Sequence, residues 1–179
     1  MSILLFLLTP KPRVANSLKI FSQPRLVTQD FSQDIYLIAF TLMPNHYHLV
    51  IYAKESSSIP KLMQRLNQKF THLINTDHNL VGHLFQSQYK SRLISSELDL
   101  INTAAYVQLN SNELVPNDTE YYKKYSYSSL NTTHPISSII DQDLFLRKSG
   151  FTREEYNQYL DMKSKNFLEM QLIKKLLPS

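Results

Sequence analysis

The chain has no cysteine and only two glycines, Gly82 and Gly150, in 179 residues. Without thiols there are no disulfides, thiolate metal sites or cysteine nucleophiles, so any metal must rest on imidazole, carboxylate or amide donors. With so little glycine there is no phosphate-cradling loop of the GxGxxG or Walker type, which needs several glycines within a few positions. Long apolar runs are also missing. The longest at the amino end, Ile3 to Leu8, stops at Thr9-Pro10-Lys11-Pro12 and falls far short of the roughly 20 residues that cross a bilayer. No basic residue precedes it and no small-residue cleavage site follows it, so the sequence predicts a cytoplasmic protein that does not enter a membrane. Charge of one sign is only mildly in excess: 19 Lys and Arg against 15 Asp and Glu give a formal +4 and a pI near 9.2. That tilts the partners toward polyanions without identifying one.

What is present reads as one globular chain, 42% hydrophobic and 19% charged, with alternating strand and helix patterns. Prolines 10, 12 and 24 make residues 9 to 34 an irregular connection. Ile35 to Met43 is a nearly continuous apolar and β-branched run, expected as a strand buried on both faces. Pro44-Asn45 turns the chain into a second strand, His46 to Tyr52. Strand alternation places His46 and His48 on one face and Tyr47, Leu49 and Ile51 on the other. Ser56 to Ser58 and Pro60 start a helix whose apolar stripe is Ile59, Leu62, Met63, Leu66, Phe70, Leu73 and Ile74. Its other side carries Lys61, Arg65 and Lys69 at four-residue spacing, a solvated face or a row of phosphate contacts. Residues 83 to 94 alternate as a third strand, with Lys90 and Arg92 on its polar side. A second helix runs from Ser96, with Asp99 in capping-box position, to about Asn110. Leu98, Ile101, Ala105 and Leu109 form its apolar stripe, and Asp99, Asn102, Thr103, Tyr106 and Asn110 its polar one. Four tyrosines crowd residues 121 to 127. Thr152 and Glu155 form a capping box opening a final helix through Tyr156, Leu160, Phe167, Leu168, Leu172 and Leu176, expected as an appendage.

Two imidazoles at i, i+2 on a strand point the same way and can share one divalent cation. An HxH pair alone is more often structural. If the metal is Mg²⁺ or Mn²⁺, a third ligand should be an oxygen, which a carboxamide on the polar face of the second helix would supply. Neutral imidazoles are required, so metal binding should weaken as pH falls through about 6.5.

The segment Leu42-Met43-Pro44-Asn45-His46-Tyr47-His48-Leu49-Val50 resembles the signature of the single-tyrosine HUH transposases, in particular the REP-associated tyrosine transposases and related small insertion-sequence enzymes. Further matches follow in order: Gly82-His83-Leu84-Phe85-Gln86 with Tyr89-Lys90-Ser91, then Tyr106-Val107-Gln108-Leu109-Asn110, then Tyr121 and Ser128-Ser129. The resemblance covers roughly residues 35 to 130. It implies an α+β fold, a ferredoxin-like antiparallel sheet with helices packed on one face, followed by a carboxy-terminal helical extension over 131–179. Residues 1–34 then read as the remnant of a first helix, ending in Ile3 to Leu8, plus the irregular connection, with the family's preceding strand missing. The implied activity is cleavage and rejoining of single-stranded DNA through a 5′-phosphotyrosine, with Tyr106 as nucleophile and His46, His48 and Asn110 holding Mg²⁺ or Mn²⁺. Lys61, Arg65, Lys69, Lys90 and Arg92 would contact DNA, hairpin-containing by the same resemblance, and the protein would act as a monomer or homodimer. The chain departs from the family pattern at Gln108, where a His is usual, at Ser111, where Pro is usual, and at Phe85, where Trp is common. The alternative reading is therefore a degenerate transposase domain that binds structured single-stranded DNA without cutting it.

Overall fold

A computed structural model describes residues 2–8, 31–115, 117–130 and 140–176, with side chains described outside 2–8 and 167–176. The irregular connection up to residue 30 and the side chains of Phe167, Leu168, Leu172 and Leu176 lie outside those bounds. Four strands, β1 (Ser2–Leu8), β2 (Ile35–Leu42), β3 (His46–Ala53) and β4 (Lys90–Ile94), form one sheet in the order β2-β3-β1-β4. Every neighbouring pair is antiparallel. The helices are α1 (Ser58–His78), α2 (Glu97–Leu109), α3 (Tyr121–Lys124), α4 (Gln142–Ser149) and α5 (Arg153–Leu176), and a 3-10 turn (Asn110–Leu114) continues α2.

Ser2–Leu8 is a strand and not the end of a helix. It pairs with β3 from Ser2↔Tyr52 to Leu8↔His46, and with β4 from Ser2↔Ile94 to Phe6↔Lys90. An unbroken apolar run has no 3.6-residue period to distinguish helix from strand, and a place between two other strands suits it because such a strand is covered on both faces. The remnant-helix reading of residues 1–34 therefore fails at its apolar part, and the sheet does not lack the strand that the resemblance led one to miss.

Helices cover both faces of the sheet, not one. Ile51 and Ala53 of β3 join Ile59 and Met63 of α1, with Ile35, Leu37, Tyr47, Leu49, Phe85 and Tyr89 packed around them. On the opposite face Val50, Ile38 and Ala39 join Leu100, Ile101, Ala104, Ala105, Val107 and Leu109, mostly of α2, with Phe145 of α4 and Tyr156 and Leu160 of α5. This follows from β2 and β3 themselves, which carry apolar side chains in both alternation phases. A register shift between Leu37 and Ala39 inserts a bulge that gives Ile38 and Ala39 to the α2 side together. Because α4 and the first turns of α5 share that larger cluster, the carboxy-terminal helices are part of the core and not an appendage. The capping box is formed: Thr152 Oγ1 accepts from the Glu155 amide at 3.2 Å, and Glu155 Oε2 accepts from the Thr152 amide at 2.8 Å.

β4 is shorter than the 83–94 expected, because Phe85 and Tyr89 leave strand geometry to pack beside α1. The outer edge of β2 is closed by chain from much later in the sequence. Leu42 donates to Tyr127 O, Ser129 to Phe40 O and Asp141 to Leu37 O, all at 2.9 Å. Unpaired edges invite association, and this one is capped.

Candidate functional site

β3 delivers the two histidines and α2 the tyrosine. His48 pairs across the sheet with Thr41 on one side and Phe6 on the other, in the alternation phase that faces α2. Thr41 Oγ1 donates to Val107 O at 2.7 Å, fixing the carboxy-terminal turn of α2 over this part of the sheet. α2 is started by Ser96, whose hydroxyl accepts from the Asp99 amide at 3.1 Å. Inward, Gln108 accepts from Tyr156 Oη at 2.7 Å and donates to Ser129 Oγ at 3.0 Å. Gln108, where the resemblance implies a His, is thus a buried amide tying α2 to α5.

The apolar stripe of α2 differs from expectation at both ends. Leu98 is 65% exposed, whereas Thr103 and Asn110, assigned to the polar side, are buried. Tyr106 is 40% exposed and Asn110 1%. The His46 and His48 rings meet edge to face with centroids 4.9 Å apart, and His48 meets Tyr106 in the same way at 5.8 Å. The Asn110 side chain hydrogen-bonds the Tyr106 hydroxyl. His46, His48, Tyr106 and Asn110 are therefore contiguous, on the α2 side of the sheet.

Burial lowers the pKa of His46. Burial, and secondarily the nearness of His46, lowers that of His48 to about 4. Both rings stay neutral below the pH at which an exposed histidine charges, His48 down to about 4, so competition between protons and a cation falls below 6.5, lower than the sequence suggested. The Tyr106 phenol is shifted upward by burial first and by the Glu113 carboxylate second, the Asn110 hydrogen bond acting the other way. Glu113 was not among the sequence candidates; it comes from the 3-10 turn that continues α2.

Among the described residues no three His, Asp or Glu side chains come together as a metal-ligand group. The donor set offered by the cluster is instead two imidazoles and an amide. Asn110 Oδ1 is buried and has no hydrogen-bond partner, which a protein rarely leaves so. Two neutral nitrogens and a free amide oxygen fit a divalent cation.

The expected DNA contacts are divided. Lys61, Arg65 and Lys69 ride on α1, across the sheet from His48 and Tyr106. Arg92, expected to meet phosphate, is committed within the chain: its guanidinium donates to Asp99 at 2.8 and 2.9 Å and to Thr103 Oγ1 at 2.7 Å. Lys90 differs from all of these. The register row Thr41–His48–Phe6–Lys90 crosses the sheet, placing exposed Lys90 on the face of His48, two strand spacings or about 10 Å away. Tyr125 and Tyr127, two of the four tyrosines crowded in the sequence, lie at the end of β2. Tyr125 Oη donates to Leu42 O, and burial raises its pKa to about 12.

Residues 24–110 match the family model described as "Transposase IS200 like". No curated protein matches the sequence. A solved structure described as "Structure of the REP associates tyrosine transposase bound to a REP hairpin" is similar over 72% of this chain and 75% of that one, at 13% identity and a TM-score of 0.48. No helix among the described residues is long and apolar enough to cross a membrane.

Proposed function

We propose, on the premise that residues 24–110 make this chain a relative of the IS200-like tyrosine transposases, that it binds structured single-stranded DNA as a transposase domain without cutting it. The observation that carries this reading is the surroundings of Tyr106. Burial and the Glu113 carboxylate both hold the proton on its hydroxyl, and the same carboxylate opposes the approach of a phosphodiester. A nucleophile needs the reverse, a neighbour that takes the proton or stabilises the oxyanion, and the Asn110 hydrogen bond, which acts in that direction, is outweighed by burial and Glu113. Gln108 cannot supply it from within the core. Binding rests on Lys90, on the face of the cluster, with Lys61, Arg65 and Lys69 gripping strand that passes to the α1 side; such contacts weaken with salt.

The contiguity of His46, His48, Tyr106 and Asn110 favours a second reading, the cleaving enzyme on a ferredoxin-like sheet. His46, His48 and Asn110 would hold Mg²⁺ or Mn²⁺. When bound, the cation would polarise a phosphodiester and offset the charge of Glu113. Tyr106 would attack phosphorus as the bond to the 3′ oxygen breaks, leaving a 5′-phosphotyrosine and a free 3′-hydroxyl that takes up the proton the phenol gives to water, with Asn110 orienting the phenol.

A hairpin oligonucleotide with unpaired flanks, incubated with Mg²⁺ or Mn²⁺, separates the two. The expected result is binding with no covalent adduct, and equal binding by Tyr106→Phe. A protein–DNA adduct present in the wild type and lost in Tyr106→Phe would establish the cleaving enzyme instead.

A further inference from the structure

We infer that Tyr36, Tyr52, Lys54 and Lys148 form a second contact for unpaired nucleotides, separate from the cluster around Tyr106. The four side chains make a continuous row assembled from β2, β3 and α4. The Lys54 ammonium lies 5.5 Å from the Tyr36 ring centroid, the Tyr36 and Tyr52 centroids are 6.0 Å apart, and the Lys148 ammonium is 4.3 Å from Tyr52. Tyr36 and Tyr52 are cross-strand partners. Tyr52 follows His48 by four residues in the same alternation phase, so the row is on the same face of the sheet about 13 Å farther along β3. Val50, between them, is buried beneath α2.

Charge separates this row from Lys123, Lys124 and Arg92, and continuity separates it from Lys163, which lies 5.3 Å from the Tyr159 ring but on α5 alone. Lys123 is held by Glu120 and Asp161, Lys124 by Asp118 and Arg92 by Asp99. Among the described residues neither Lys54 nor Lys148 has a carboxylate at ion-pair distance, and each rests on a tyrosine face instead. A strand of nucleic acid can take both halves of that arrangement. An unpaired base stacks on the phenol ring while the displaced ammonium meets the adjoining phosphate, which is how binding without sequence preference is built. Duplex DNA offers no free base face to the rings. The inference rests on the proposed DNA binding and adds the place where unpaired flank is held.

The test compares wild type with Lys54→Gln/Lys148→Gln, using fluorescence anisotropy of a hairpin oligonucleotide with a long unpaired flank, titrated at several salt concentrations. A second measurement on wild type alone places 5-iododeoxyuridine in the flank and maps photo-cross-links to peptides. The expected results are about tenfold weaker binding by the variant, a salt slope shallower by about 1.4 for two lost phosphate contacts on a single strand, and cross-links to Tyr36 or Tyr52. Wild type that binds the probe, with an unchanged slope in the variant and cross-links elsewhere, would overturn this inference and leave the proposed function standing. Competition by blunt duplex as strong as by single strand would also overturn it. Wild type that binds no single-stranded DNA would remove the proposed function itself, and this contact with it.

Discussion

His48 shows how a residue chosen for its chemistry is changed by where the fold puts it. It is 3% exposed, and burial together with His46 lowers its pKa to about 4. An unfolded chain takes up a proton there near pH 6.5 and the folded one does not. The contribution to stability is therefore intact above about 6.5 and is lost progressively as pH falls toward about 4. Thermal melts of the metal-free protein across that interval should show a falling Tm, and His48→Gln should show a smaller fall. A variant as acid-sensitive as wild type would place the titrating group elsewhere. The paired histidines were legible because alternation on a strand is a strict two-residue code. Glu113 was not, because its effect on Tyr106 depends on the chain continuing from α2 into a 3-10 turn, which a helical pattern ending at Asn110 does not reveal.

At the scale of elements, α2 is the hub. Its start is capped by Ser96, its first turns are tied to β4 through Asp99 and Arg92, its far end is tied to β2 through Thr41, and Gln108 links it to α5. Arg92 and Lys90 lie two residues apart on β4 in the same phase, yet their substitution should have different effects. Arg92→Ala breaks a bidentate pair that is partly exposed, at a cost of about 1 kcal/mol or less from the pair itself, and should lower Tm while leaving DNA affinity nearly unchanged. Lys90→Gln should leave Tm unchanged and weaken oligonucleotide binding several-fold. Equal loss of affinity in both would return Arg92 to the DNA contacts. The start of α2 could be read from Ser96 and Asp99 because a cap is a local signal. Burial of Thr103 and Asn110 could not, since it is set by β4 and by chain that packs from far along the sequence. The apolar run Ile35 to Met43 indicated a strand buried on both faces, and that residue-level reading held for β2, whereas the one-sided placing of helices implied by the resemblance did not.

For the molecule as a whole, β1 decides whether there is one sheet. It separates β3 from β4, which have no pairing of their own. Deleting residues 1–8 leaves β2 and β3 as an isolated hairpin, a unit at best marginal in water, and strips β4 of its strand partner among the described residues. The truncated chain should lose its cooperative thermal transition and its near-ultraviolet circular dichroism. A sharp transition near the wild-type Tm would show that β3 and β4 can pair directly.

The position of β1 also dictates an order of events during synthesis. Leu5 leaves the ribosome before both of its partners, Leu49 and Ser91, which come 44 and 86 residues later in the chain. At ~5–20 residues per second, the run Ile3 to Leu8 waits several seconds with no strand on either side. The β2–β3 hairpin, with its local turn, can close in microseconds once it emerges. β1 is therefore made before either of its neighbours yet completes its pairing only after β4 emerges, so the apolar run that centres the finished sheet is the strand that waits unpaired in the nascent chain.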